Sequence, residues 1–110
     1  TLELMKDGLP LIYQGVIIDG NLFGRTDLLE KTPGNSTFGK YHYTAVDIKS
    51  GKYLKDEYKM QVMFYSYLLN RVQKRMPSKG FIINSENNRL DFPVEASLEA
   101  SKNSNPYSYF

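Results

Sequence analysis

Residues with β-forming side chains open the chain's first ordered stretch: Leu11 to Asp19 (Leu-Ile-Tyr-Gln-Gly-Val-Ile-Ile-Asp) predicts a strand. Asp19-Gly20-Asn21 follows as a turn signal, because Gly and Asn tolerate positive φ. Leu22 to Lys31 then predicts a second strand and, with the first, a hairpin. By the period of two, Phe23, Arg25 and Asp27 share one face, and Leu22, Gly24, Thr26 and Leu28 the other. Thr32 to Thr37 (Thr-Pro-Gly-Asn-Ser-Thr) carries no core-forming residue and predicts a polar loop. Lys40 to Ser50 alternates aromatic and polar residues before turning apolar at Ala45 and Val46, which predicts a third strand, central in its sheet.

The strongest periodicity runs from Asp56 to Arg75. Met60, Phe64, Leu68 and Val72 recur every four positions, flanked by Met63, Tyr67 and Leu69, which predicts an amphipathic helix. Asp56 is suited to cap its start, Arg71, Lys74 and Arg75 suit its C-terminal dipole, and Pro77 ends it. Gly80 to Asn84 predicts a short buried strand, reached by a parallel crossover. Leu90 to Val94 predicts an edge strand limited by Pro93, and Ser101 to Phe110 a poorly ordered tail. No helix is expected in residues 1–10. The fold class expected is α/β: a mixed central sheet with flanking helices, in the order strand, strand, strand, helix, strand.

At 110 residues, with 41% hydrophobic and 24% charged residues, the chain is expected to be one domain over residues 1–100. It begins on Thr1 and ends on Phe110 just after two tyrosines, so a segment of a longer protein is expected. No apolar run is long enough to span a membrane, and no signal-peptide pattern opens the chain. The absence of cysteine excludes disulfides and thiolate metal sites within these residues, and fits a cytoplasmic setting. A net charge of +2 permits nucleic-acid binding without diagnosing it.

Chemistry concentrates in Asp47-Ile48-Lys49 and, upstream, Gly24-Arg25-Thr26-Asp27. Hydrolysis of a phosphodiester needs the phosphate charge shielded, a hydroxide generated and the leaving oxygen stabilised. Magnesium held by one or two carboxylates serves all three. Asp27 and Asp47 are the obvious pair; Asp47 and Lys49, two apart, leave one face of a strand together. Ile48 is expected to point oppositely, into the core, while its backbone carbonyl offers another oxygen ligand. Taken singly these signals are bland. An Asp-x-Lys pair is usually surface charge alternation, Gln61 and Tyr65 fit an exposed i,i+4 pair, the helix cations fit a solvated face, and His42 fits a surface strand position.

Their ordered conjunction resembles the signature of the RecB-like branch of the PD-(D/E)xK nuclease superfamily, over roughly Gly15 to Asn84. Gly24 and Asp27 match its Gly-x-x-Asp strand, Asp47 and Lys49 its Asp-x-Lys strand, and Gln61 and Tyr65 its Gln-x-x-x-Tyr helix. The resemblance implies a restriction-endonuclease-like core lacking its first helix, and magnesium or manganese on Asp27, Asp47 and the Ile48 carbonyl. It also implies a catalytic Lys49, with Gln61 and Tyr65 supporting the site or contacting DNA. A metal-dependent deoxyribonuclease follows, of exonuclease type in DNA repair or recombination, beside a helicase partner or fused domain. Thr26 stands where the superfamily has proline, and His42 lies on the wrong side of the first motif to replace an upstream ligand. The alternatives are a non-catalytic nucleic-acid-binding module of the same fold and a structural or interaction domain.

Overall fold

The computed structural model describes residues 1–94, so the predicted tail at Ser101 to Phe110 lies outside the described residues. The elements are α1 (Leu2–Lys6), β1 (Leu11–Tyr13), β2 (Val16–Asp19), β3 (Leu22–Arg25), β4 (Leu28–Ser36), β5 (Gly39–Ile48), α2 (Asp56–Gln73), β6 (Lys79–Ile83) and β7 (Arg89–Pro93). Five strands form a mixed sheet in the order β1-β4-β5-β6-β7, and β2 and β3 form a separate two-stranded sheet. The central place expected for the third strand is occupied by β5, antiparallel to β4 and parallel to β6 across the α2 crossover. β7 is an edge strand, as expected, and β1 is the other. No helix among the described residues is long and apolar enough to cross a membrane.

The predicted hairpin is present, but it is bent. β2 pairs with β3 about Gly20-Asn21, and β1 pairs with β4 in the same continuing register, Val16 opposite Arg25 and Tyr13 opposite Leu28. Between these blocks Gln14 takes φ 51°, and only the bonds Gln14 N–H to Asp27 O (2.8 Å) and Thr26 N–H to Gly15 O (2.9 Å) continue the pairing. Each long predicted strand is therefore two. The lower half joins the main sheet, and the upper half leaves it to cover α2, which contacts β2 and β3 on one side and β5 and β6 on the other.

Three further expectations are corrected. A helix does form within residues 1–10: Leu2–Lys6 are good helix formers, and α1 buries Met5 alone, too little for a periodic signal. The predicted loop at Thr32 to Thr37 is mostly strand, since β4 pairs with β5 as far as Ser36. Asp56 is not the cap of α2: Lys55 holds that position and makes no side-chain capping bond, while Asp56 and Glu57 meet the dipole from the first turn.

The buried face of α2 is also rotated from the predicted stripe. Val62, Ser66, Leu69 and Gln73 lie at its centre, with Met63, Tyr65 and Leu68 buried beside them, whereas Met60, Phe64 and Val72 are only partly buried. A helix held between two sheets has two contact faces, so no single stripe describes it. Gly80 permits the close approach to β6, since a Cβ there would lie 2.6 Å from Val62 Cγ1. On the other face of the main sheet, Arg89 reaches both carboxylate oxygens of Glu30 (2.6 and 2.7 Å) over the ring of Phe81.

His42 is buried on β5, not at the surface, with Nδ1 3.3 Å from the Gly34 carbonyl. Burial depresses its pKa; the Gly34 bond opposes that shift, and the charge of Arg75 adds to it. The unfolded chain therefore takes up the proton first as pH falls, and stability drops below the ordinary histidine range of about 6.5. Urea unfolding at several pH values is expected to show this loss between neutrality and pH ~5, at no more than the one-proton limit of about 1.4 kcal/mol per pH unit. His42→Gln is expected to flatten it.

Candidate functional site

The bend in the hairpin sets Asp27 beside the C-terminal end of β5. Asp27 lies in the two-residue break between β3 and β4, where its backbone is free of the regular ladder. Its Oδ2 accepts from the Ile48 backbone N–H at 2.7 Å, and its own N–H donates to Asp47 Oδ1 at 3.3 Å. The two acids are thus joined through each other's strands. Asp47 is 2% exposed, on the α2 face of β5 with Tyr43 and Ala45.

Lys49 follows directly after β5, where its N–H continues the parallel ladder to Ile83 O at 2.9 Å. Its Nζ lies 3.2 Å from Asp47 Oδ2, donates to Gln61 Oε1 at 2.5 Å and stands 5.2 Å from the centre of the Tyr58 ring. Gln61 Nε2 in turn donates to the Tyr65 hydroxyl at 2.9 Å. Gln61 and Tyr65 are therefore not an exposed pair: Tyr65 is buried, and the two form a relay of bonds ending on the lysine. All five side chains singled out in the sequence meet at one place.

Ile48 departs from expectation. Its side chain is 54% exposed on the face away from α2 and does not enter the core. Only its peptide group belongs to the site, through the N–H held by Asp27.

The electrostatics are those of an under-neutralised acid pair. Burial pushes the Asp47 carboxyl up, the charge of Asp27 pushes it further, and Lys49 opposes both. Burial and the Asp47 charge likewise raise the Tyr65 phenol, against its bond from Gln61. Two acids against one lysine leave the cluster with one excess negative charge. A hard divalent cation would reverse that sign and satisfy oxygen donors of this kind. Among the described residues no third His, Cys, Asp or Glu joins the pair, so the protein offers two carboxylates, the number with which magnesium retains several waters.

Gly24 holds the hairpin close to the helix. A Cβ on it would lie 2.8 Å from Tyr65 Cδ1 and 3.1 Å from Leu68 Cδ1, so the glycine lets Tyr65 pass beneath β3. Between the hairpin and the N-terminal half of α2 opens a cleft of about 690 Å³, with Lys49, Gln61 and Tyr65 on its wall beside Phe23, Tyr58 and Phe64. Phe23 and Tyr58 were not legible as site residues. Phe23 alternates like any strand residue, and Tyr58 falls outside the predicted helix stripe. No protein-family model matches this chain, and no curated protein matches it.

Proposed function

We propose that the chain is a divalent-metal-dependent nuclease with a restriction-endonuclease-like core, hydrolysing DNA phosphodiester bonds. The observation that carries this reading is the unbroken series of contacts from Asp27 through Asp47, Lys49 and Gln61 to Tyr65. Asp27 and Asp47 hold magnesium or manganese, and the Ile48 carbonyl is a further candidate ligand. The metal supplies, when bound, a nucleophilic water and neutralisation of phosphate charge. Lys49, fixed between Asp47 and Gln61, presents a positive charge to the phosphate oxygens as charge develops on them. Gln61 and Tyr65 fix the lysine, which would otherwise lose side-chain freedom on reaching the substrate. An exonuclease of RecB type in DNA repair or recombination, beside a helicase partner or fused domain, follows from the sequence resemblance alone.

The cleft wall includes Lys49, Gln61 and Tyr65 but neither Asp27 nor Asp47, which favours a second reading: a non-catalytic nucleic-acid-binding module. End-labelled single- and double-stranded DNA, incubated with magnesium, manganese or EDTA, separates the two. Cleavage is expected with either metal and none with EDTA. Manganese is also expected to raise the melting temperature, because it binds only the folded state. Binding without cleavage, and with no manganese effect on melting, would leave the second reading standing.

A further inference from the structure

The cleft contains more aromatic surface than the site chemistry needs. Phe23 projects from β3 and is 69% exposed, an unusual position for a phenylalanine beside a polar site. Tyr58 and Phe64 from α2 line the same space. The connection from β5 to α2 then interleaves base and ring beside the cleft: Lys49, Lys52, Tyr53, Lys55, Tyr58 and Lys59 within eleven positions, against two acids, Asp56 and Glu57, which line the cleft with Lys49 and Tyr58. Tyr53 is 72% exposed with Lys52 Nζ 5.7 Å from its ring centre, and Lys49 and Lys55 flank the Tyr58 ring at 5.2 and 5.6 Å.

Open ring faces next to lysines suit a polymer that presents flat apolar groups alternating with negative charge. An unpaired nucleic-acid strand does so, whereas a duplex keeps its bases stacked inside and shows mainly phosphates. The cleft volume of about 690 Å³ lies within the range that closes around one small ligand, as a flipped or terminal nucleotide would be. We infer that this cleft takes an unpaired base stacked on Phe23, with the adjoining phosphates drawn to Lys49, Lys52 and Lys55, so that the strand bound for cleavage is single. This deepens the nuclease reading and rests on it for the class of polymer.

Binding of a fluorescein-labelled oligothymidylate, and of a blunt duplex of equal length, would be followed by anisotropy in EDTA, where no cleavage competes. The single strand is expected to bind about tenfold or more tighter than the duplex. Phe23→Ala is expected to weaken single-strand binding about fivefold or more, Phe23→Tyr to retain it, and both to melt as the parent does. Tyr53→Ala, in the connection that leads into α2, is expected to weaken it as well. Equal or tighter duplex binding, or full binding by Phe23→Ala and Tyr53→Ala, would overturn the inference. A chain that binds single strands through these rings yet never cleaves with metal would overturn the nuclease reading alone.

Discussion

Asp47→Asn is expected to lower metal-dependent cleavage about a hundredfold or more, the scale set by removing one preorganised charged group from a reaction centre. The same change is expected to make the metal-free protein more stable. Asp47 is almost wholly buried, close to a second carboxylate, and its pKa is raised by burial first and by Asp27 next. An acid whose folded pKa lies above its unfolded value costs stability once pH exceeds the folded value, and costs nothing below the unfolded value near 3.9. Asparagine keeps an oxygen for the Asp27 N–H and carries no charge. A gain of about 1 kcal/mol, typical of relieving strain at a functional site, corresponds to a rise of about 4 °C for a domain of this size. Melting in EDTA should show the gain at pH 7.5 and its disappearance towards pH 4. Lys49→Ala should lose cleavage equally but melt lower, because it removes the charge opposing the pair. A metal-free Asp47→Asn protein melting below the parent at pH 7.5 would show instead that the Lys49 contact outweighs the repulsion.

Gln73→Leu is expected to cost about 3 kcal/mol, and about 12 °C in melting temperature, without touching the site. β6 pairs with β5 only at Val46 to Ile48, so the backbone of Tyr43 has no strand neighbour on that side. The fully buried Gln73 amide takes the strand's place. Its Oε1 accepts from Tyr43 N–H at 2.8 Å, and its Nε2 donates to Tyr43 O and Arg75 O, each at 3.0 Å. Leucine fills similar space and strands a donor and acceptors away from water, at about 1–3 kcal/mol for each group left unsatisfied. Urea titration should show a lower midpoint with an unchanged slope. Gln73→Glu tests the directionality of the amide, since a carboxylate can accept from the Tyr43 N–H but cannot donate to either carbonyl unless protonated.

Gln73 also shows where the sequence stopped being informative. The helix itself was legible from its apolar recurrence, and so were the central third strand and the parallel crossover, because these depend on local pattern and on element order. A glutamine in phase with Val62, Ser66 and Leu69 reads as an interruption of the core until the open edge of β5 is known, and that edge depends on how far β6 extends. Pro33 misled for a related reason. It reads as a strand breaker, yet β1 covers β4 only from Leu28 to Glu30, so beyond that point β4 has a free edge on which a missing N–H costs nothing. The bend at Gln14 had no signal beyond the adjacent Gly15. The site residues were legible as a set because their spacing follows from one strand and one helix. The bonds joining them across Asp27 N–H and Ile48 N–H are tertiary and were not.

The bent hairpin has a consequence for engineering. The acid pair is fixed by bonds between the Asp27 segment and β5, while Phe23 and Gly24 of the hairpin form the wall of the cleft that faces α2. The acid pair and the hairpin wall of the cleft are therefore carried by separable pieces of chain. Grafting a different hairpin above α2, with Gly24 kept for the passage of Tyr65, would redirect what enters the cleft and leave the acid pair as it was: an exchangeable cassette on a fixed chassis.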